Sequence, residues 1–216
     1  MRADGEGVTS RAMEKKTDRR VARTKAALMS AFVGEILSRG YEAVSVEDIA
    51  RRANVGRSTF YMHYAGKDAL LREAVSRPCA VLCVIVGGDI SADMVAPQLA
   101  HFHEQRRRNG TFFRDPIRRI WTARLAQMME PRLIKLARMT GAQPRLPLPL
   151  VALQLAELQI SLITNWLVEK PGLKPETVAD ALIAATQAQL RALLGLSADA
   201  PVFISREKLR MVFVAV

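Results

Sequence analysis

Residues Asn54 to Leu70 read NVGRSTFYMHYAGKDAL, and the fold turns on how this stretch is placed. Wound as a helix from Arg57 to His63, it puts Phe60 and Tyr64 four apart, on the side that Val55 can join. Arg57, Ser58, Tyr61 and Met62 fall on the opposite side, with Thr59 and His63 at its edge. Core packing accounts for the two inward rings. It does not account for an arginine, a hydroxyl, a phenol and a thioether gathered on the face that looks out.

Upstream, residues 1–17 are poor in apolar side chains and are expected to be a disordered lead-in. From Asp18 the pattern is helical: Leu28, Phe32 and Ile36 recur every four residues, flanked by Met29, Val33 and Leu37, and Arg39-Gly40 closes the helix. Ser45 and Asp48 then form an S-x-x-D capping box at the start of a second helix. Val46, Ile49, Ala50 and Ala53 line one side of it, and Glu47→Arg51 and Asp48→Arg52 are expected as i,i+4 ion pairs on the other. That helix is too short to stand alone and must lean on neighbours. Asn54, a residue that tolerates left-handed backbone, leads into the third helix, and a fourth is expected from Lys67 to about Ser76, before Pro78.

Two short helices joined by Ala53–Gly56, the second with an exposed polar face, make a helix-turn-helix. In that motif the second helix enters the major groove while the first crosses the backbone. Arg57 suits guanine O6 and N7, Ser58 and Thr59 suit bases or phosphate, and Met62 suits a thymine methyl. Tyr61, His63 and Lys67 suit phosphate oxygens, which fix position without reading sequence.

Over Arg23–Leu71 the chain resembles the N-terminal DNA-binding domain of TetR-type transcriptional regulators, the tetracycline-repressor-like family. R-G-Y at the end of the first helix, S-V-E-D-I-A, T-F-Y-x-H-Y and K-D-A-L-L occur in the family's order. The resemblance implies an all-α homodimer that binds a palindromic double-stranded operator near its promoter. It further implies a repressor released by a small ligand held in a helical C-terminal domain. By matching position, Thr24, Ser45, Tyr61, His63 and Lys67 would be phosphate contacts, and Arg57, Ser58, Thr59 and Met62 the variable base-facing set. Asn54 stands where the family often has glycine, and Gly56 and Gly66 where it often has serine caps, so Gly56 lacks a hydroxyl that could contact phosphate.

Composition is consistent with this. The net charge is +11 and the pI near 10.3, a surplus that favours a polyanionic partner. It is spread along the chain, with 15 Lys and Arg against 10 Asp and Glu over residues 1–77 and 17 against 11 over the rest. The N-terminus lacks the apolar core of a signal peptide, and the longest uninterrupted apolar run, Cys79–Val86, is far short of a membrane span. A cytoplasmic protein without membrane association is expected. Cys79 and Cys83 are read as buried packing residues among Ala, Val, Leu and Ile.

After Pro78 come longer apolar segments, read as helices at about 79–86, 92–108, 115–139, 149–169 and 176–194. Three regions follow: a tail over 1–17, a DNA-binding domain over 18–77, and an effector-binding and dimerisation domain over 78–216. The helices near 149–169 and 176–194 alternate small and large residues, which suits close packing, and family resemblance assigns the dimer interface to them. His101, Phe102, Phe113, Trp121, Leu125, Met128, Leu158 and Trp166 are the candidate ligand pocket, mostly apolar and aromatic as such pockets are. His101 and His103 point different ways on a helix, so no metal site is expected, nor any cofactor. Arg106–Arg108 with Arg114, Arg118, Arg119 and Arg124 form a basic belt, either a solvated face or a site for an anion.

Two other classes compete. An enzyme is disfavoured because G-x-G-x-x-G, a P-loop, H-E-x-x-H and G-x-S-x-G are missing and no carboxylate–histidine cluster offers a substitute. A basic architectural protein without ligand control would bind DNA without sequence preference.

Overall fold

Helices of seven residues persist only where neighbours hold them, and the first of two structural units, Met1–Leu71, is built on that requirement. The structure is a computed structural model that describes residues 6–105, 114–169, 172–197 and 203–204, with 6–17 and 203–204 as backbone only. The first unit contains α1 (Glu6–Arg39), α2 (Val46–Arg52), α3 (Arg57–His63) and the start of α4 (Lys67–Cys83). Its core is Leu28, Phe32 and Ile36 of α1 against Ile49 of α2, Phe60 of α3 and Leu70 and Leu71 of α4, all 0% exposed.

Local chemistry sets the ends of these helices. The capping box at Ser45 is complete: the Asp48 amide donates to Ser45 Oγ at 3.1 Å, and the Ser45 amide donates to Asp48 Oδ2 at 3.1 Å. Gly40, with φ +79°, ends α1, and Asn54, with φ +54°, turns the chain between α2 and α3.

The ion pairs differ from the expected i,i+4 set. Arg51 pairs with Asp48, Arg52 reaches Glu35 on α1 at 2.9 Å, and Glu47 is taken by Arg57 on α3 at 2.6 Å. Charges on α2 therefore link it to both neighbours as well as to itself: Arg52 and Glu47 find partners on adjacent helices, and Arg51 finds one a turn back. Gly34 makes room for this, since a Cβ there would lie 2.7 Å from the Arg52 guanidinium.

Two expectations about the N-terminal half are corrected. The lead-in over residues 1–17 is helical from Glu6, over a stretch free of proline. Pro78 does not end α4, which runs on to Cys83 and absorbs the separate helix expected at 79–86. Proline removes one helical hydrogen bond, but Cys79 and Leu82 beyond it are fully buried, and their packing carries the helix through.

The second unit, Arg72–Val216, holds the rest of α4 together with α5 (Ala92–Glu104), α6 (Ile117–Thr140), α7 (Leu148–Glu169) and α8 (Pro175–Leu194). The unit boundary thus falls within α4, a few residues before the expected one. Ile117, Trp121, Leu125, Met129, Leu133 and Leu136 recur along α6 at spacings of four and three and are buried. α7 is long and apolar enough to cross a membrane by length and composition, but half of that window is buried within the unit, as for a core helix. A two-residue parallel pairing, Gly87–Gly88 with Phe203–Ile204, went unforeseen because so short a pairing leaves no alternation to read. The ambiguous Met211–Val216 end lies outside the described residues.

Candidate nucleic-acid interface

α3 divides as its sequence requires. Phe60 is fully buried and Tyr64 is 4% exposed, their rings 5.9 Å apart, and the Lys25 ammonium lies 5.4 Å from the Tyr64 centroid. On the other side Tyr61 is 47% and Met62 77% exposed, and Arg57 and Ser58 are exposed beside them. Thr59 and His63 sit half-buried at the edge. Carbon and sulfur this exposed on a seven-residue helix are costly to hydrate unless something covers them.

Arg57 is held rather than free. Its guanidinium pairs with Glu47 and lies 5.7 Å from the Tyr61 centroid. A hydrogen bond to Tyr61 and then the charge of Glu47 hold it still further from deprotonation. Both partners of the ion pair are more than half exposed, so the pair is weak and exchangeable.

The candidate phosphate contacts separate into two kinds. Tyr61 and His63 lie on α3, the former exposed and the latter half-buried. Ser45, Lys67 and Thr24 already have structural work. Ser45 Oγ serves the capping box and also donates to Asp48 Oδ2 at 2.7 Å. Lys67 Nζ donates to the carbonyls of Tyr41 at 2.9 Å and Val44 at 3.1 Å, and lies 4.4 Å from the Tyr41 centroid. An ammonium has three N–H donors, so one is left beyond these two bonds. Thr24 donates back to the Arg20 carbonyl at 3.0 Å, and its acceptor lone pairs stay available. Sequence reading missed the Lys67 clamp because its acceptors are backbone carbonyls more than twenty residues away.

The residues expected to line a ligand pocket fall in the second unit. Phe102 and Trp121 meet edge to face at 5.4 Å, and with Leu125 and Trp166 they are buried. Met128 and Leu158 are half-buried, and Phe113 and Arg106–Arg108 lie outside the described residues. His101 is exposed, unlike the buried Phe102 next to it. Two residues on, His103 instead stacks on Trp166 at 5.2 Å, since neighbours two apart on a helix face different ways. Of the basic belt, Arg118 pairs with Glu157 at 2.6 Å, while Arg114 and Arg119 are exposed. Cys79 and Cys83 are buried, and burial pushes the Cys79 thiol up to about 12, which keeps it unreactive.

A tri-helical head with this exposed third helix, followed by a unit of long helices, defines a helix-turn-helix DNA-binding protein. Residues 25–74 match bacterial regulatory proteins of the tetR family. The uncharacterized HTH-type transcriptional regulator YxbF of Bacillus subtilis (strain 168) is 44% identical over 71 residues, covering 32% of this chain and 19% of that relative. The match thus spans about a fifth of the relative's length. A TetR transcriptional regulator from Streptococcus agalactiae 2603V shares 25% identity at a TM-score of 0.50, covering 81% of this chain and 98% of its own. A TetR-family regulator from Syntrophomonas wolfei shares the fold at 15% identity and a TM-score of 0.50, covering 82% and 98%. Residues 25–74 thus carry a tetR-family helix-turn-helix domain, and the chain shares its fold with TetR transcriptional regulators.

Proposed function

We propose that the chain is a cytoplasmic transcriptional repressor that binds a palindromic operator as a homodimer and leaves it when a small molecule occupies the second unit. The observation that carries the reading is the outward face of α3, where Arg57, Ser58, Tyr61 and Met62 stand exposed while Phe60 and Tyr64 anchor the helix from behind. Arg57 and Met62 read bases, and Ser58 and Thr59 assist them. Tyr61, His63, Thr24, Ser45 and the third donor of Lys67 hold phosphates.

Pairing of two copies is supported by α7 and α8. Leu150 and Leu153 are each 40% and Val168 62% exposed along α7, and Ala181, Ala184, Ala188 and Ala192 are exposed along α8. Apolar and small side chains left on the surface of long helices favour burial against a second copy. An effector within the second unit accords with its well-formed aromatic core around Phe102, Trp121 and Trp166.

Binding selection from genomic fragments, followed by competition against random duplex, tests the proposal. An operator preferred at least about a thousandfold over random DNA is expected. Equal affinity for all duplexes would leave a non-specific basic binder. Within a specific complex, Arg57→Ala is expected to relax base preference at one position per half-site, by about 1–3 kcal/mol. A uniform loss across sequences would make Arg57 a phosphate contact instead.

A further inference from the structure

The second unit contains a cavity of about 530 Å3 lined by Arg72, Pro116, Arg119, Ile120, Ala123, Arg124 and Gln127. None of these is among the aromatic residues expected to form a ligand pocket. Pro116, Ile120, Ala123 and Gln127 follow one another by four, three and four along α6 and its N-cap, so they share a stripe, with Arg119 and Arg124 on either side. Arg72 faces them from α4. The lining therefore combines a short apolar strip with three guanidinium groups.

Among the described residues, no carboxylate pairs with these three charges: none lies within 4.0 Å of Arg72, Arg119 or Arg124, whereas Arg118 beside them on α6 takes Glu157 at 2.6 Å. Arg124 is also fixed in place by neutral acceptors. Its Nε donates to Ser76 Oγ at 3.0 Å and its other nitrogen to Gln127 Oε1 at 2.8 Å, while Ser76 Oγ donates on to the Arg72 carbonyl at 2.6 Å. Two of the five N–H donors of Arg124 are thereby used for aiming, and the charge is left for something else.

We infer that this cavity binds a small organic anion, with a carboxylate or phosphate group among Arg72, Arg119 and Arg124 and an apolar body on Pro116, Ile120 and Ala123. Guanidinium groups match both anions with paired, charge-assisted hydrogen bonds, and bringing three like charges together is relieved by a negative one. The volume falls in the range of small-molecule sites. Binding alone reads this site out, so it stands or falls separately from operator recognition and release.

Calorimetric titration of the whole chain with 2-naphthoate, 2-naphthyl phosphate and neutral 2-naphthamide tests the inference. At least one anion is expected to bind about tenfold or more tightly than the amide. A preference for naphthoate assigns carboxylates to the site, and a preference for naphthyl phosphate assigns phosphate esters. The double substitution Arg72→Gln with Arg119→Gln, both at exposed positions, is expected to bring the anion down to the level of the amide. Ala123→Glu, which supplies the missing carboxylate from within, is expected to abolish anion binding and raise Tm. Equal binding of all three probes, no binding by any, or undiminished binding in the double variant overturns the inference.

Discussion

The two units solve the problem of holding helices in place by opposite means. In residues 1–71 the helices that matter are seven residues long and are fixed by a capping box, ion pairs to adjacent helices and a lysine clamp on two carbonyls. In residues 72–216 the helices run to 24 residues and rest on continuous buried stripes, to which ties such as Arg118–Glu157 and Gln159–Thr186 are added. A short helix held by directional bonds keeps the orientation of its exposed face, as a reading surface requires. A long helix held by area fixes position less strictly and can accept another molecule against it.

The largest expected effect probes the buried area on which α3 itself rests. Phe60→Ala removes a fully buried ring from a seven-residue helix and is expected to cost about 3–5 kcal/mol. Hydrogen exchange should show protection lost through α2 and α3 while α6 and α7 keep theirs. The matching change in the second unit, Leu125→Ala, is expected to do the reverse at about 2–5 kcal/mol. If either substitution strips protection from both units alike, the contrast between them fails.

Lys67→Ala sharpens the comparison at a polar tie. It leaves the carbonyls of Tyr41 and Val44 without their donor and is expected to cost about 1–3 kcal/mol, read as a lower urea midpoint. The same change is expected to lower by about one the slope of log affinity against log salt for any duplex. An unchanged slope would leave Lys67 a purely structural residue.

A smaller effect is set by pH. Hydrogen bonds from the Ser45 side chain and amide, and then the charge of Arg39, hold the Asp48 carboxyl down to about 2 from its ordinary 3.8. A depressed carboxyl stabilises the fold fully above its unfolded value and loses that contribution as pH falls through the folded one. The cap is therefore expected to be intact above about pH 4 and to fray between there and pH 2, visible in the Ser45 amide resonance. Asp48→Asn should flatten that response. Smallest of all, Gly56→Ser is expected to gain a few tenths of a kcal/mol by giving α3 the side-chain cap it lacks, provided the new Cβ, 3.7 Å from Ser58 Oγ, is tolerated.

Much of the first unit was legible because its signals are local. Ser45 with Asp48, Gly40 before the turn and Asn54 after α2 each act within four residues of themselves, and the structure has all three as read. The partners of Glu47 and Arg52 were not legible, since the choice between a neighbour one turn away and one on another helix depends on how closely the helices approach. Pro78 was misread for a related reason: a local breaking signal was outweighed by burial of Cys79 and Leu82, which sequence alone does not weigh. The cavity between Arg72 and α6 was half legible. Arg119 and Arg124 stood out in the basic belt, but Arg72 is more than forty residues away, and the Glu157 that removes Arg118 from the set lies on a different helix.

Met62, 77% exposed on a helix that otherwise turns hydroxyl, phenol and guanidinium outward, has a consequence for handling the protein. Its thioether is open to peroxide, and oxidation to the sulfoxide would replace a soft apolar contact with a polar, chiral oxide. The buried scaffold behind α3 would not register the change. Under the base-facing role proposed for Met62, samples aged in air would melt as fresh ones do while losing discrimination at thymine-bearing positions, and methionine sulfoxide reductase would restore it.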